Sequence, residues 1–159
     1  MPVLYDIPQT IRAFLDQRGI HYQVIPHSRD FSAQHTAHDT FTPGRSFAKT
    51  VMICADNYYA MVVLPANRTI DFDQLRAGLG AVEVSLATES EIAELFPDCE
   101  VGAEPPFGSL YDMPVIVSHE LPHQEVITFN GGNHEDAIRM SYFEFERLAD
   151  PIYLDFTHP

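Results

Sequence analysis

Phe47-Ala48-Lys49-Thr50-Val51-Met52-Ile53-Cys54-Ala55-Asp56-Asn57-Tyr58-Tyr59-Ala60-Met61-Val62-Val63-Leu64 decides the fold class. Two apolar, strand-sized runs flank the turn pair Asp56-Asn57, so the stretch reads as two paired strands. Upstream, Ile7, Ile11, Phe14 and Leu15 share one helical face that Gly19 brings to an end. His21–Pro26 alternates like a short strand, Ser32 to Asp39 reads as a short helix, and Thr42-Pro43-Gly44 is a turn. Downstream, Asp71 caps a helix with Gln74 three residues on; Phe72, Leu75 and Leu79 form its apolar side, and Gly78 and Gly80 end it. Ala81–Leu86 reads as a strand. Thr88-Glu89-Ser90-Glu91 is a capping box ahead of Ile92, Leu95 and Phe96, and Pro97 closes that helix. Val115–Ser118, Glu125–Phe129 and Ala137–Met140 read as strands, with a turn at Gly131-Gly132. Ser141-Tyr142-Phe143-Glu144 is a second capping box, opening a last helix through Leu148. Strands at hairpin spacing with helices between them, and no strict βαβ alternation, predict an α+β fold: a mixed, barrel-like β-sheet with surrounding helices. With no repeat, linker or low-complexity tract, residues 1–159 read as one domain.

Apolar residues make up 45% of the chain, enough for an ordinary core. The apolar runs Val51–Ala55 and Tyr58–Ala66 are too short to span a bilayer, so no membrane contact is expected. Met1-Pro2-Val3-Leu4-Tyr5-Asp6 lacks the basic start and apolar run of a secretory leader, which places the chain in the cytoplasm. Nine basic against twenty-three acidic side chains give a net charge of −14. Long-range attraction to nucleic acid is then absent, which excludes diffuse binding to duplex DNA and confines any RNA contact to a small local site.

Metal and thiol chemistry are the first candidates to weigh. His119-Glu120-Leu121-Pro122-His123 matches the H-E-x-x-H signature of zinc hydrolases. That chemistry needs both imidazoles on one helical face, and Pro122 opposes a helix by clashing with the Ser118 carbonyl and donating no N–H. An exposed polar turn is the better reading. His35 and His38 lie three apart on the short helix but lack a third ligand. Cys54 sits in an apolar run, and Cys99 sits between Asp98 and Glu100, which disfavours a thiolate.

Three features remain. Lys49 lies among Phe47, Ala48, Val51, Met52 and Ile53, where an ammonium is costly to bury without a partner. It is either an anion- or carbonyl-binding cation or a lysine facing water on an alternating strand. Gly102-Ala103-Glu104-Pro105-Pro106-Phe107-Gly108 sets stiff and permissive backbone positions side by side. Its N–H groups suit an oxyanion, though a plain surface turn has the same composition. Gly131-Gly132-Asn133-His134 places a histidine after a glycine turn, either against a ligand or at a strand end.

In this order and spacing the three features resemble the YbaK-like domain, also found as the editing insertion of bacterial prolyl-tRNA synthetases. The resemblance covers nearly the whole chain. Phe47-Ala48-Lys49-Thr50-Val51 is similar to the family's lysine strand. Val63-Leu64-Pro65-Ala66-Asn67-Arg68 with Asp71 resembles the segment that follows the second strand. Gly102 to Pro106 fits a G-x-x-x-P loop, extended here by Phe107-Gly108, and Gly132-Asn133-His134 resembles a late G-x-H turn. The resemblance implies a metal-free and cofactor-free aminoacyl-tRNA deacylase that hydrolyses the ester of a mischarged tRNA, with water as nucleophile. Lys49 and Gly102 would carry the chemistry. Thr50, Pro106, Phe107, Gly108, Gly132, Asn133 and His134 would bind substrate, with Thr50 and Asn133 shaping selectivity. The implied partner is the aminoacyl-tRNA acceptor end, with a synthetase able to supply affinity that an acidic chain lacks. A pocket protein of the same fold that senses an amino acid, and a zinc hydrolase on His119 and His123, are the alternatives.

Overall fold

In a computed structural model, residues 6–159 are described; Met1–Tyr5, on which the reading of the N-terminus rests, lie outside the described residues. The elements follow in the order α1 (Gln9–Gln17), β1 (Tyr22–Pro26), α2 (Ala33–Asp39), β2 (Ala48–Ala55), β3 (Tyr58–Pro65), β4 (Thr69–Ile70), α3 (Phe72–Leu79), β5 (Val84–Leu86), α4 (Glu89–Leu95), β6 (Val115–Ser118), β7 (Val126–Asn130), β8 (Asp136–Ser141), α5 (Tyr142–Ala149), β9 (Ile152–Leu154) and β10 (Thr157–His158). The expected hairpin is β2–β3, in register from Ala48 opposite Pro65 to Ala55 opposite Tyr58. It forms the middle of a sheet ordered β5-β2-β3-β6-β9, in which β3–β6 and β6–β9 are parallel. A second sheet, β1-β8-β7, is antiparallel, and β10 pairs with β4.

The mixed sheet and its helices match the α+β expectation, but the barrel-like closure is not made. The two larger sheets touch through one parallel bridge, Phe47 to Thr128. The reason lies on the outer edge of β2. The Ala66 N–H donates to the Phe47 carbonyl at 2.8 Å, which fixes the alternation: Lys49, Val51 and Ile53 bond across to β3, while Thr50, Met52 and Cys54 turn their backbone groups outward. Cys54 meets Ser85 of β5, and Met52 accepts from the Ala87 N–H at 3.0 Å. At Thr88 the chain then caps α4 and leaves the edge. Thr50 is therefore left facing an unclosed seam between β2 and β7.

Both faces of the hairpin are covered. Ala48, Met52, Met61 and Val63 join a large core with Phe107, Phe129 and the inner side of α1 (Ile11, Phe14, Leu15). Ile53, Ala55, Val62 and Leu64 join a second core with Leu75 of α3 and Phe156. The helix caps follow the sequence. Asp71 accepts from the Gln74 N–H at 3.1 Å, and Thr88 and Glu91 exchange both bonds of a capping box. Three local expectations change. Gly78 lies inside α3, and Gly80, at φ +66°, ends it. The strand expected from Ala81 begins at Val84, because the Asp56 carboxylate takes the N–H groups of Val82 and Glu83 (3.1 and 3.0 Å). The second capping box is half made: Ser141 caps α5, but the Glu144 carboxylate accepts from the His21 N–H instead. Among the described residues no helix is long and apolar enough to cross a membrane.

Candidate active site

The Gly102 loop and the Gly132 turn lie against each other. The Glu100 N–H donates to the Gly132 carbonyl, and the Gly132 N–H to the Ala103 carbonyl, both at 2.8 Å. His134 closes the set: its N–H donates to Glu100 Oε1, and its Nε2 lies 2.9 Å from the Val101 carbonyl. A carbonyl only accepts, so Nε2 carries the proton, and in the neutral ring Nδ1 is left as the acceptor. The ring is buried and is covered by Phe31, whose own ring centroid lies 4.7 Å away and which is 72% exposed. Arg29 holds Glu100 and lies 5.2 Å over Phe31, so a cation and an aromatic rim the turn. The Arg29 guanidinium holds the Glu100 carboxyl below its usual range.

Glycine is required at the turn for a steric reason. A Cβ on Gly132 would lie 2.6 Å from Cδ of Pro8, at the entry to α1, and φ is +102° there. Gly102 also has a left-handed φ, +89°, but a Cβ there meets only His134, with Cε1 at 3.5 Å. Asn133 spends its side chain on the turn itself: Oδ1 accepts from the N–H groups of Glu135 and Asp136 at 2.7 Å each, and Nδ2 donates to Asp136 and to the Asp6 carbonyl.

Beyond Gly102 the loop dives inward. Pro106, Phe107 and Gly108 are buried. Phe107 packs its ring against Phe14 and Phe129 (centroids 5.4 Å in each case), so it anchors the loop in the large core. Sequence reasoning missed Glu104. Its side chain is buried, and its Oε1 accepts the Gly102 N–H at 2.9 Å, the very donor expected to hold an oxyanion. Burial pushes the Glu104 carboxyl above its ordinary range. An acid set between an exposed glycine and two prolines was the available signal.

Lys49 and Thr50 occupy opposite faces of β2. Lys49 stands across from Leu64, on the face of the second core; it is half-buried, has no ion pair among the described residues, and burial lowers its pKa. No hydrogen bond or ion pair joins it to the Gly102 loop or to His134. Thr50 stands across from Val63, on the face of the core that holds Phe107. Its Oγ1 is buried with no partner among the described residues. The structure thus brings Gly102, Gly132, Asn133 and His134 together, sets Pro106, Phe107 and Gly108 behind them, and leaves Lys49 and Thr50 on opposite faces of the hairpin strand, Thr50 alone turned to the open seam.

The H-E-x-x-H segment has no helix under it. β6 ends at Ser118, and Leu121–His123 makes one tight turn around Pro122. His119 pairs with Asp155 at 2.7 Å and stacks on Tyr153. Cys99 is no nucleophile either, since burial pushes its thiol up to about 12.

This fold, with a lysine strand and two interlocked glycine loops, is that of a tRNA-editing domain. The aminoacyl-tRNA editing domain family matches residues 27–148, and the chain belongs to it. It is similar to the multifunctional Ser/Thr-tRNA deacylase ProXp-y of Escherichia coli K12, with 26% identity over 155 residues covering 93% of this chain and 91% of that protein. Among solved structures it is similar to a candidate trans-editing enzyme for prolyl-tRNA synthetase (TM-score 0.84, 18% identity, 97% of this chain and 100% of the other). It is also similar to a scaffold used in computational epitope grafting (TM-score 0.85, 16% identity, 96% and 97%). These two likenesses concern the fold.

Proposed function

We propose that the chain is a free-standing aminoacyl-tRNA deacylase that removes a small hydroxyl-bearing amino acid, serine or threonine, from mischarged tRNA in the cytoplasm. The observation that carries the choice of amino acid is Thr50, whose buried hydroxyl has no partner among the described residues and lies on the face of the large core. A buried unpartnered hydroxyl is costly, and a substrate hydroxyl satisfies it. The activity printed for the E. coli relative points the same way.

Water attacks the ester carbonyl carbon, the new C–O bond forms, and the bond to the ribose oxygen breaks, that oxygen leaving with a proton. An ester of this kind is already labile, so positioning and charge stabilisation suffice, without a metal or a protein nucleophile. Lys49, a half-buried cation with no carboxylate partner among the described residues, orients the terminal phosphate or ribose. His134, beside the Gly102 loop, offers Nδ1 as an acceptor. The ribose hydroxyl next to the ester orients the attacking water, as the family resemblance implies. Gly102 acts as an oxyanion donor only when Glu104 releases its N–H, so productive binding includes that exchange. A synthetase partner supplies tRNA affinity where the acidic surface does not.

The occupied Gly102 N–H also favours a second reading, a pocket protein that binds an aminoacyl group without cleaving it. A panel of mischarged tRNAs separates the two. Hydrolysis of seryl- or threonyl-tRNA, abolished by Lys49→Ala with the melting temperature kept, supports the deacylase. A panel left wholly intact by a protein that binds aminoacyl analogues rejects it.

A further inference from the structure

Phe41 sits where a helix favours glycine. The Thr42 N–H returns to the Ala37 carbonyl at 2.8 Å and the Phe41 N–H to His38 at 3.1 Å, closing α2 around a residue at φ +54°. The position usually goes to glycine, yet here it holds a phenylalanine that is 93% exposed. Neither helix termination nor core packing accounts for that ring.

Beneath it lies a cleft lined by Phe41, Thr42, Ser46, Thr128 and Arg139, at the unclosed seam between β2 and β7. Arg139 is half-buried in it. Its Nε donates to Thr128 Oγ1 at 3.0 Å, and its Nη2 to the Thr40 carbonyl and Thr42 Oγ1 at 2.7 Å each. All three acceptors are neutral and buried, and Nη1 makes no hydrogen bond among the described residues. The Arg139 guanidinium thus keeps its full charge at the cleft, with no carboxylate among the described residues to neutralise it. Arg12, Arg29 and Arg76, by contrast, are paired with carboxylates. Arg45, exposed and unpaired among the described residues, stands beside Ser46 at the rim. The Gly44 carbonyl binds the Ala66 N–H at 3.1 Å, which brings this rim to the end of the hairpin that carries Lys49 and Arg68.

We propose that this cleft binds the unpaired 3′ end of a tRNA, with Arg139 taking a backbone phosphate and Phe41 stacking on a base, the strand continuing past Arg45 toward Lys49. The choice of RNA rests on the deacylase reading; the ligand chemistry, a phosphate beneath a planar ring, rests on the cleft. Stacking on an exposed aromatic beside cations is how single strands are held without sequence readout. With Nε and Nη2 held by the three threonines, the planar guanidinium fixes the direction of Nη1 toward a phosphate, which a rotating lysine ammonium would not.

The test uses a fluorescently labelled single-stranded RNA ending in CCA, titrated against the full chain. Wild type binds it in preference to a duplex of equal length. Phe41→Ala weakens binding about tenfold, and Phe41→Trp restores it. Arg139→Gln weakens binding and lowers the salt slope by about one, while Arg139→Lys, checked by thermal melting, keeps the slope. KM for aminoacyl-tRNA rises with Phe41→Ala in step with the loss of RNA binding. Wild type that ignores the single strand, equal binding of duplex, or affinity indifferent to both positions overturns the proposal. A protein that binds the RNA through Phe41 and Arg139 yet hydrolyses no ester retains this site and loses the catalytic reading instead.

Discussion

Two glycines six residues apart in one loop should respond to alanine in opposite ways. A Cβ on Gly108 would lie 2.3 Å from the Met113 carbonyl oxygen and 2.5 Å from Cγ2 of Val115. The first contact is with backbone, so no side-chain rotation relieves it. The Gly108 carbonyl also accepts from the N–H groups of Tyr111 and Met113, both at 3.0 Å, so any retreat stretches those bonds. Overpacking of this kind costs about 1–3 kcal/mol and one weakened hydrogen bond about 1 kcal/mol more, so Gly108→Ala should cost roughly 2–4 kcal/mol. For a chain of this length that lowers the melting temperature by about 10 °C. Gly102→Ala has room, with His134 Cε1 at 3.5 Å, and carries only the left-handed backbone penalty of about 1–2 kcal/mol. Its melting temperature should fall by only about 2–8 °C. Its deacylation rate should drop by about a hundredfold, because the new methyl occupies the space in front of the imidazole and displaces the ester. Circular dichroism melts and a mischarged-tRNA assay on both variants decide the matter. Gly108→Ala melting with the wild type, or Gly102→Ala at full activity, would refute the division of the loop into a buried anchor and an exposed working end.

Lys49→Met should lose deacylation without losing stability. Burial lowers the lysine pKa, so charge is disfavoured in the fold; the penalty is present at neutrality and fades as pH rises from the lowered value toward 10.5. The variant should melt at or above wild type near neutrality and converge with it in alkali, and a lower melting temperature at neutrality would contradict this. Glu104→Gln keeps an acceptor for the Gly102 N–H and removes a carboxyl whose pKa burial has raised. The raised value means the native carboxyl is favoured in its neutral form, so its stabilising contribution is present below 4.5 and lost as pH rises through the folded value. The variant should gain stability over wild type near neutrality and not below 4.5; equal melting curves at both would count against it. His119→Ala removes an exposed imidazole paired with Asp155 and should leave deacylation unchanged, with or without a chelator. A zinc-dependent loss on that substitution would restore the hydrolase alternative.

Helix ends were legible because capping is a local exchange between a side chain and the next turn, as at Asp71, Thr88 and Ser141. The hairpin was legible because both of its strands are buried on both faces and read as continuous apolar runs. Elements fixed by distant partners were not. β4 and β10 are two-residue strands that exist because residues 156–158 return to the segment between β3 and α3, with the Asp71 N–H on the Phe156 carbonyl at 2.6 Å. β9 runs beside β6, about thirty-five residues away, a pairing that no local pattern announces. The same limit governs the site. The glycine loops could be read as neighbours only through the family resemblance, and whether a loop N–H is free depends on where the Glu104 side chain turns. Nor could the sequence tell that Arg139 would lack a carboxylate partner, since its neighbours Thr40 and Thr42 come from the end of α2 and Thr128 from β7, two distant segments.

A net charge of −14 and a polyanionic substrate are in conflict only if the charge acts at long range. At physiological ionic strength, fields from exposed carboxylates fade over about 8 Å. The body of a tRNA held farther away than this is neither strongly drawn nor strongly repelled. What decides binding is the charge within contact distance of the substrate's end. Arg139 lines the cleft at the seam, Arg45 stands at its rim and Lys49 lies on the adjoining hairpin strand, and none of the three has a carboxylate partner among the described residues, whereas Arg12, Arg29 and Arg76 are paired elsewhere. Lys49 and Arg139 are half-buried, where a charge is less screened and acts more strongly on a phosphate brought into contact. An acidic exterior with a few desolvated cations favours a molecule that can thread a single strand into the seam and disfavours a duplex laid across the surface. That discrimination is what a trans-acting hydrolase of aminoacyl ends requires, because every cellular RNA offers phosphates but few offer a free, esterified 3′ terminus.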